Sequence, residues 1–224
     1  MWTIQKMKER GKAAFKANYW PCVLVALLMS LFTGAATASS RSESSTEFQS
    51  AVQAGDKAAI AALLGAIILV VGLALLFKIF LANPIKLGGV HFFTENTEAG
   101  PVPVSTIKAG FQNYGHNFVV MLLRDVYLLL WFLLLIVPGI IKAYSYCMVP
   151  YILAEHPELS ANEVIARSRE MMNGHKWQAF KLDLSFFGWI LLGALTLGLV
   201  DVFWTAPYME SAQAALYLKL RDEA

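Results

Sequence analysis

An all-α membrane protein of six spanning helices, arranged as three hairpins, is the fold class that this sequence predicts, and three observations predict it. Of 224 residues, 57% are hydrophobic and 15% are charged, whereas soluble domains carry about 25% charged residues. Apolar runs such as 58–82, interrupted only by Lys78, exceed the roughly 20 residues that cross a hydrocarbon layer about 30 Å thick. A corner of small, polar and aromatic residues recurs three times, as Ala17-Asn18-Tyr19-Trp20, Gly115-His116-Asn117-Phe118 and Gly174-His175-Lys176-Trp177. Each corner feeds a long apolar segment and then a second one carrying Pro84, Pro150 or Pro207. The net charge is only +2 and the basic residues are scattered in small groups, which argues against nucleic acid as a partner.

In segment 1–19, Trp2, Ile4, Met7, Gly11, Ala14 and Phe15 recur at near-helical spacing while Lys6, Lys8, Arg10, Lys12 and Lys16 take other faces. That pattern predicts an interfacial amphipathic helix. The first span covers 20–38. A cleavable signal peptide is the competing reading, because Cys22 to Phe32 is apolar and Ala36-Thr37-Ala38 resembles a cleavage site. The basic segment is long for a signal, so the uncleaved span is preferred. A polar loop, 39–56, leads to span two, 58–83, which proline ends at Asn83-Pro84. Segment 85–93 continues as helix, 94–104 is a loop by its glycine and prolines, and a short helix from Thr106 reaches the second corner.

Span three, 118–137, turns at Pro138-Gly139 into span four, 140–154, which at 1.5 Å per residue is only about 22 Å long. Ser160 with Glu163 three residues on reads as a capping box. It opens a cytoplasmic amphipathic helix, 160–173, with Val164, Ile165, Ser168, Met171 and Met172 on one side and Arg167 on another. Spans five and six cover 180–200 and 203–218. Lys and Arg crowd the ends of these segments on one side, with Arg41, Lys57 and Lys142 on the other, so both termini are expected in the cytoplasm. Aligning the corners places Ala26, Arg124 and Asp183 at one offset, as a pseudo-threefold arrangement of parallel hairpins requires. Cys22 and Cys147 lie in apolar segments and read as small buried hydrophobes.

The strings Pro138-Gly139-Ile140, Tyr144-Ser145-Tyr146, Met148-Val149-Pro150-Tyr151-Ile152-Leu153, Pro157-Glu158-Leu159 and Gly174-His175-Lys176-Trp177 stand out. Leu182-Asp183-Leu184-Ser185-Phe186, Gly188-Trp189, Leu195-Thr196-Leu197-Gly198 and Pro207-Tyr208 continue the series to Tyr217. Over this stretch of about 80 residues the chain resembles an uncharacterised family of bacterial integral membrane proteins, domain of unknown function 975. The resemblance implies a polytopic inner-membrane protein and brings no activity with it. Glu155-His156 stands where an aspartate-led turn is expected. More remotely, the layout is similar to the membrane domain attached to some glycerophosphodiester phosphodiesterases, which points towards lipid.

Ionisable residues inside spans come first as candidates, since each costs about 2.5–3.5 kcal/mol even on a lenient insertion scale. Arg124, Asp125, Asp183 and Glu210 qualify. Arg124, Asp183 and Glu210 form either a cytoplasm-facing polar pocket or a salt-bridged tie, Arg124 with Asp183 or Glu210, that sets helix register. Lys78 and Lys142 read as snorkelling anchors. His91, His116, His156 and His175 show no metal spacing, and no cofactor is expected. Gly88-Gly89 and Gly193 with Gly198 permit close helix packing. No spacing sets a nucleophile beside a base. The expectation is therefore a non-catalytic membrane protein that organises membrane, associates with lipid or binds a membrane-protein partner. A small-solute or lipid transporter is the alternative, with span six and its Pro207, Glu210, Ser211 and Gln213 as the nearest approach to a broken helix. A membrane enzyme acting on lipid headgroups ranks third.

Overall fold

A computed structural model describes residues 2–34 and 57–223. The loop 39–56 and the Ala36-Thr37-Ala38 pattern lie outside the described residues. Every regular element among the described residues is helical. Helix α1, Ile4–Ala17, is capped by the Thr3 side chain, which accepts from the Lys6 N–H. Asn18 breaks it, and α2, Tyr19–Gly34, leaves at 106°. Helix α3, Lys57–Phe77, passes through a π-helical turn, Lys78–Ala82, into α4, Asn83–Glu98. A 3₁₀ segment, Val104–Phe111, precedes α5, Tyr114–Leu134, and α6, Ile136–Ser145. Then come α7, Val149–Glu155, α8, Ala161–Met171, α9, Lys176–Leu184, and α10, Phe187–Leu195. A second π-helical turn, Asp201–Thr205, introduces α11, Ala206–Arg221.

Three helical stretches are long and apolar enough to cross a membrane: Tyr114–Leu134, Ile136–Glu155 and Lys176–Leu195. The bent pair of α1 with α2 passes the same test when taken together, giving up to four where six were expected. The second hairpin turns earlier than its proline implies. Leu135, with extended φ −161°, is the break, and Pro138-Gly139 sits inside the first turn of α6. Proline lacks an N–H, and first-turn N–H groups have no intrahelical acceptor, so the position costs nothing in hydrogen bonds. Gly139 faces the Phe132 ring, where a β-carbon would collide. Span four thereby gains residues and runs over 20, enough for about 30 Å. The loop expected at 94–104 also shrinks. Thr94 donates to the Val90 carbonyl and α4 continues to Glu98, until Gly100 with φ 98° turns the chain.

Three helices along the chain begin in the same way. Helices α4, α7 and α11 all start with proline in their first turn, at Pro84, Pro150 and Pro207. Two of these starts follow a π-helical turn, a register change that frees backbone groups ahead of the proline. The three proline-started helices are also the most enclosed. Val149 to Leu153 are all buried, as are Pro84, Ile85 and Leu87 to Val90 in α4 and Ala214 to Leu218 in α11. Tyr151 stacks on Tyr217 with ring centroids 5.0 Å apart. Helix α11, read from sequence as span six, is therefore covered by protein, with α1, α2 and α4 packed along it.

The apolar face of α1, read as membrane-facing, packs on α11 instead. Trp2, Met7, Gly11 and Phe15 are buried, and Gly11 sits on the Ser211-Ala212 backbone so closely that no side chain fits between. Trp2 Nε1 donates to His175 Nδ1 at 3.1 Å, joining the start of α1 to the third corner. Gly88 lies against Ile107 and Gly89 against Met29, so this pair does allow close packing. Outside this body the surface is apolar. Leu129, Leu133 to Val137, Leu195, Leu197 and Leu199 are exposed, Leu197 to 97%. Contiguous apolar patches of this kind are rare on proteins surrounded by water. They fit contact with hydrocarbon.

Candidate functional site

The ionisable residues singled out from the sequence gather only in part. Asp183, on α9, is central. Its Oδ2 accepts from the Tyr144 hydroxyl on α6 at 2.9 Å, and its Oδ1 accepts from Gln213 Nε2 on α11 at 3.2 Å. Glu210 stands one turn before Gln213 and lies within electrostatic reach of Asp183 and of Lys86 on α4. Tyr151 and Cys147 border the same cluster. Helices α4, α6, α9 and α11 thus meet around two carboxyl groups. A carboxylate with a donor on each oxygen is a satisfied one, the condition under which a buried charge is tolerated.

Arg124 is arranged differently. Both its Nε and Nη2 donate to Oδ1 of Asp125, the next residue, at 3.1 and 2.7 Å. The ion pair expected with Asp183 or Glu210 does not form, because the adjacent carboxylate is reached without ordering a second helix. Lys142 is also displaced from the reading that set it on the less basic side. Its Nζ lies 4.6 Å from the Trp131 ring centroid, and Arg169 and Lys176 are within electrostatic reach. It belongs with the basic residues. The side chain of Lys78 lies outside the described residues.

Sequence reasoning missed Tyr144 and the role of Gln213, whose contacts with Asp183 span 39 and 30 residues. The one available signal was the three-residue spacing of Glu210 and Gln213, which puts both on one helix face. It also missed a second knot, at the C-terminal ends of the three proline-started helices. Arg221 donates to Glu155 at 2.7 Å and to Glu98 at 2.6 Å, and Tyr217 donates to Glu155 at 2.8 Å. Hydrogen bonding to Arg221 holds the Glu98 carboxyl below the usual range, and the two carboxylates push the Arg221 guanidinium up. Helix α8 is fixed nearby by buried Ser168, which donates to the Ser145 carbonyl at 2.9 Å, and the capping box at Ser160 and Glu163 is formed.

Two open grooves flank these knots. One, of about 540 Å³, runs between α8 and the end of α11, with Arg167, Glu170, His175 and Arg221 on its walls. Another, of about 490 Å³, is bounded by α1, Ser185 and Tyr208. Neither is lined by Asp183 or Glu210. Among the described residues, no group of three or more His, Cys, Asp or Glu side chains has a metal-holding arrangement. Cys22 and Cys147 are free thiols.

The family model for a protein of unknown function, DUF975, matches residues 104–224, from the 3₁₀ segment before hairpin two onward. The chain belongs to the DUF975 family. The matched region contains Asp183, Tyr144, Gln213 and the Glu155, Tyr217 and Arg221 side chains of the second knot, while its Glu98, together with Lys86 and α1, comes from the part before it. No curated protein and no solved structure matches this DUF975 member.

Proposed function

We propose that this is a non-catalytic membrane protein that associates with lipid and organises membrane or a membrane-protein partner, with six spans in three parallel hairpins, both termini in the cytoplasm and the bacterial inner membrane as its location. The observation that carries the reading is the division of the molecule. Apolar hairpin tips are exposed on one side, and on the other a body of short helices is held by polar ties that use their own charges. Repetition supports the three-hairpin layout, since α4, α7 and α11 share a proline start and two of the three share a π-helical turn before it. The acids of the central cluster serve this role as register-setting groups.

Native mass spectrometry of the intact protein released from nanodiscs tests the reading. Retained lipid or a reproducible protein partner is expected, unchanged in an Arg124→Ala variant. A small solute retained by wild type and lost in Glu210→Ala would replace this reading with a transporter. The π-helical turn and Pro207 ahead of Glu210 favour that second reading, because broken helices place polar groups beside substrates.

A further inference from the structure

The groove beside α1 has the parts of a phospholipid headgroup site. Lys8 and Lys12, one turn apart, point along one face of α1 and line it together with Ile4, Glu9, Ser185 and Tyr208. The Lys8 ammonium donates to the Ser185 carbonyl at 3.3 Å and lies 4.5 Å from the Phe186 ring centroid, which fixes it at the groove and leaves further N–H donors available. Glu9 is occupied by Gln5, whose amide donates to it at 2.9 Å. Two lysines against one glutamate leave the groove with net charge +1. Tyr208 is 6% exposed, and its hydroxyl has no hydrogen-bond partner among the described residues. The hydroxyl oxygen itself is not buried, and it opens on the groove near the Glu9 carboxylate.

What lies beside the groove identifies the ligand class. Ser185 is the break between α9 and α10, and on either side of it runs an exposed apolar stripe, Leu184, Phe187, Leu191 and Leu195, at helical spacing. The stripe faces outward from the protein, half exposed or more at each position. A molecule with an anionic head in the groove would lay hydrocarbon chains along it. Exposed Lys6, Arg10 and Lys16 on α1 add positive potential around the same end. Free phosphate would satisfy the lysines but would leave the stripe unused.

We propose that this groove holds the phosphodiester of one anionic glycerophospholipid, bound by Lys8, Lys12 and the Tyr208 hydroxyl, with its acyl chains on the Leu184-Phe187-Leu191 stripe. The proposal deepens the lipid-associated reading and rests on it. Basic residues at an anionic surface each favour it, and Glu9 offsets part of the effect of the lysine pair, so a preference on the order of tenfold for an anionic over a zwitterionic lipid is expected.

The test uses the full chain in nanodiscs of phosphatidylcholine doped with phosphatidylglycerol, read by native mass spectrometry and by thermal unfolding. Wild type should retain one phosphatidylglycerol about tenfold more strongly than phosphatidylcholine. Lys8→Gln with Lys12→Gln should remove that preference, and Lys12→Glu alone, at a side chain that makes no internal contact, should do so without lowering the melting temperature. Lys108→Gln, at an exposed lysine on the 3₁₀ segment that does not line the groove, should leave it in place. Equal retention in Lys12→Glu and wild type would overturn the site while leaving the lipid-associated reading intact. Retention of no lipid by wild type would overturn both. Inorganic phosphate in pure phosphatidylcholine nanodiscs should give no stabilisation; stabilisation that Lys12→Glu abolishes would make this a free-anion site and overturn the lipid assignment.

Discussion

Asp183 shows how a charge can be kept within a helical stretch long and apolar enough to cross a membrane. Its two oxygens are shared between a phenol from α6 and an amide from α11, so its desolvation is offset at two points and it joins three segments. Removing the acceptor should cost more than removing one donor. Asp183→Leu strands the hydroxyl and the amide and should destabilise the protein by about 2–3 kcal/mol, whereas Tyr144→Phe, which leaves the carboxylate its amide donor, should cost about 1 kcal/mol. Thermal unfolding in detergent micelles ranks the two, and equal losses would mean that the carboxylate is held by other groups. Asp183 itself was visible in the sequence as an ionisable residue in an apolar segment, but its partners were not. Arg124 and Asp183 share an offset in the repeat and carry opposite charge, which invited a pairing between them, but an arginine beside an aspartate in sequence finds its partner locally. Tyr144 carries no sequence mark of its role because a tyrosine near a span end is ordinary.

At the scale of elements, the all-helical class, the apolar helices of 114–134, 136–155 and 176–195 and the proline starts were legible, since apolar length and first-turn prolines act through local backbone physics. The capping box at Ser160 and Glu163 was legible for the same reason. What a helix packs against is a non-local matter. An apolar stripe with lysines on its other faces suits a lipid surface and a protein groove equally, so α1 looked interfacial until Gly11 was found seated on the α11 backbone. That contact makes a sharp prediction. Gly11→Leu must separate α1 from α11 and should expose Trp2, whose indole then loses His175. A red-shifted tryptophan emission component and faster proteolysis within 4–17 are expected, while Gly100→Ala, in a loop with open space around it but with φ 98°, should cost only backbone strain of about 1 kcal/mol. Fluorescence unchanged in Gly11→Leu would count against the packing of α1.

For the whole molecule, the knot at Arg221 is the feature that closes the body. It joins the last residues of α4, α7 and α11, so its loss should loosen all three helices together. Arg221→Ala should lower stability by about 2 kcal/mol, the loss expected for hydrogen bonds to charged groups, and hydrogen exchange should quicken at the ends of all three. Glu98 gives the knot a pH signature. Its carboxyl lies below the usual range because Arg221 bonds to the ionised form. The stabilisation is therefore fully present above the unfolded-state value of about 4.3 and is lost as pH falls through the lower folded value. Melting temperature should be flat from neutral pH to about 5 and then drop, and Arg221→Gln should shrink the drop. An equal acid-side drop in that variant would assign it to other carboxylates.

The docking of α1 on α11 also sets a clock. Residues 4–17 are made well before the surface that covers their apolar side, which lies some 200 residues later in the chain. At about 5–20 residues per second, a nascent chain carries that side uncovered for on the order of 10–40 s. During this interval the only apolar phases within reach are the bilayer and whatever chaperone attends the ribosome. The basic, amphipathic character of α1 then serves two hosts in succession, the membrane surface while the intervening chain is being synthesised and α11 once that helix is in place.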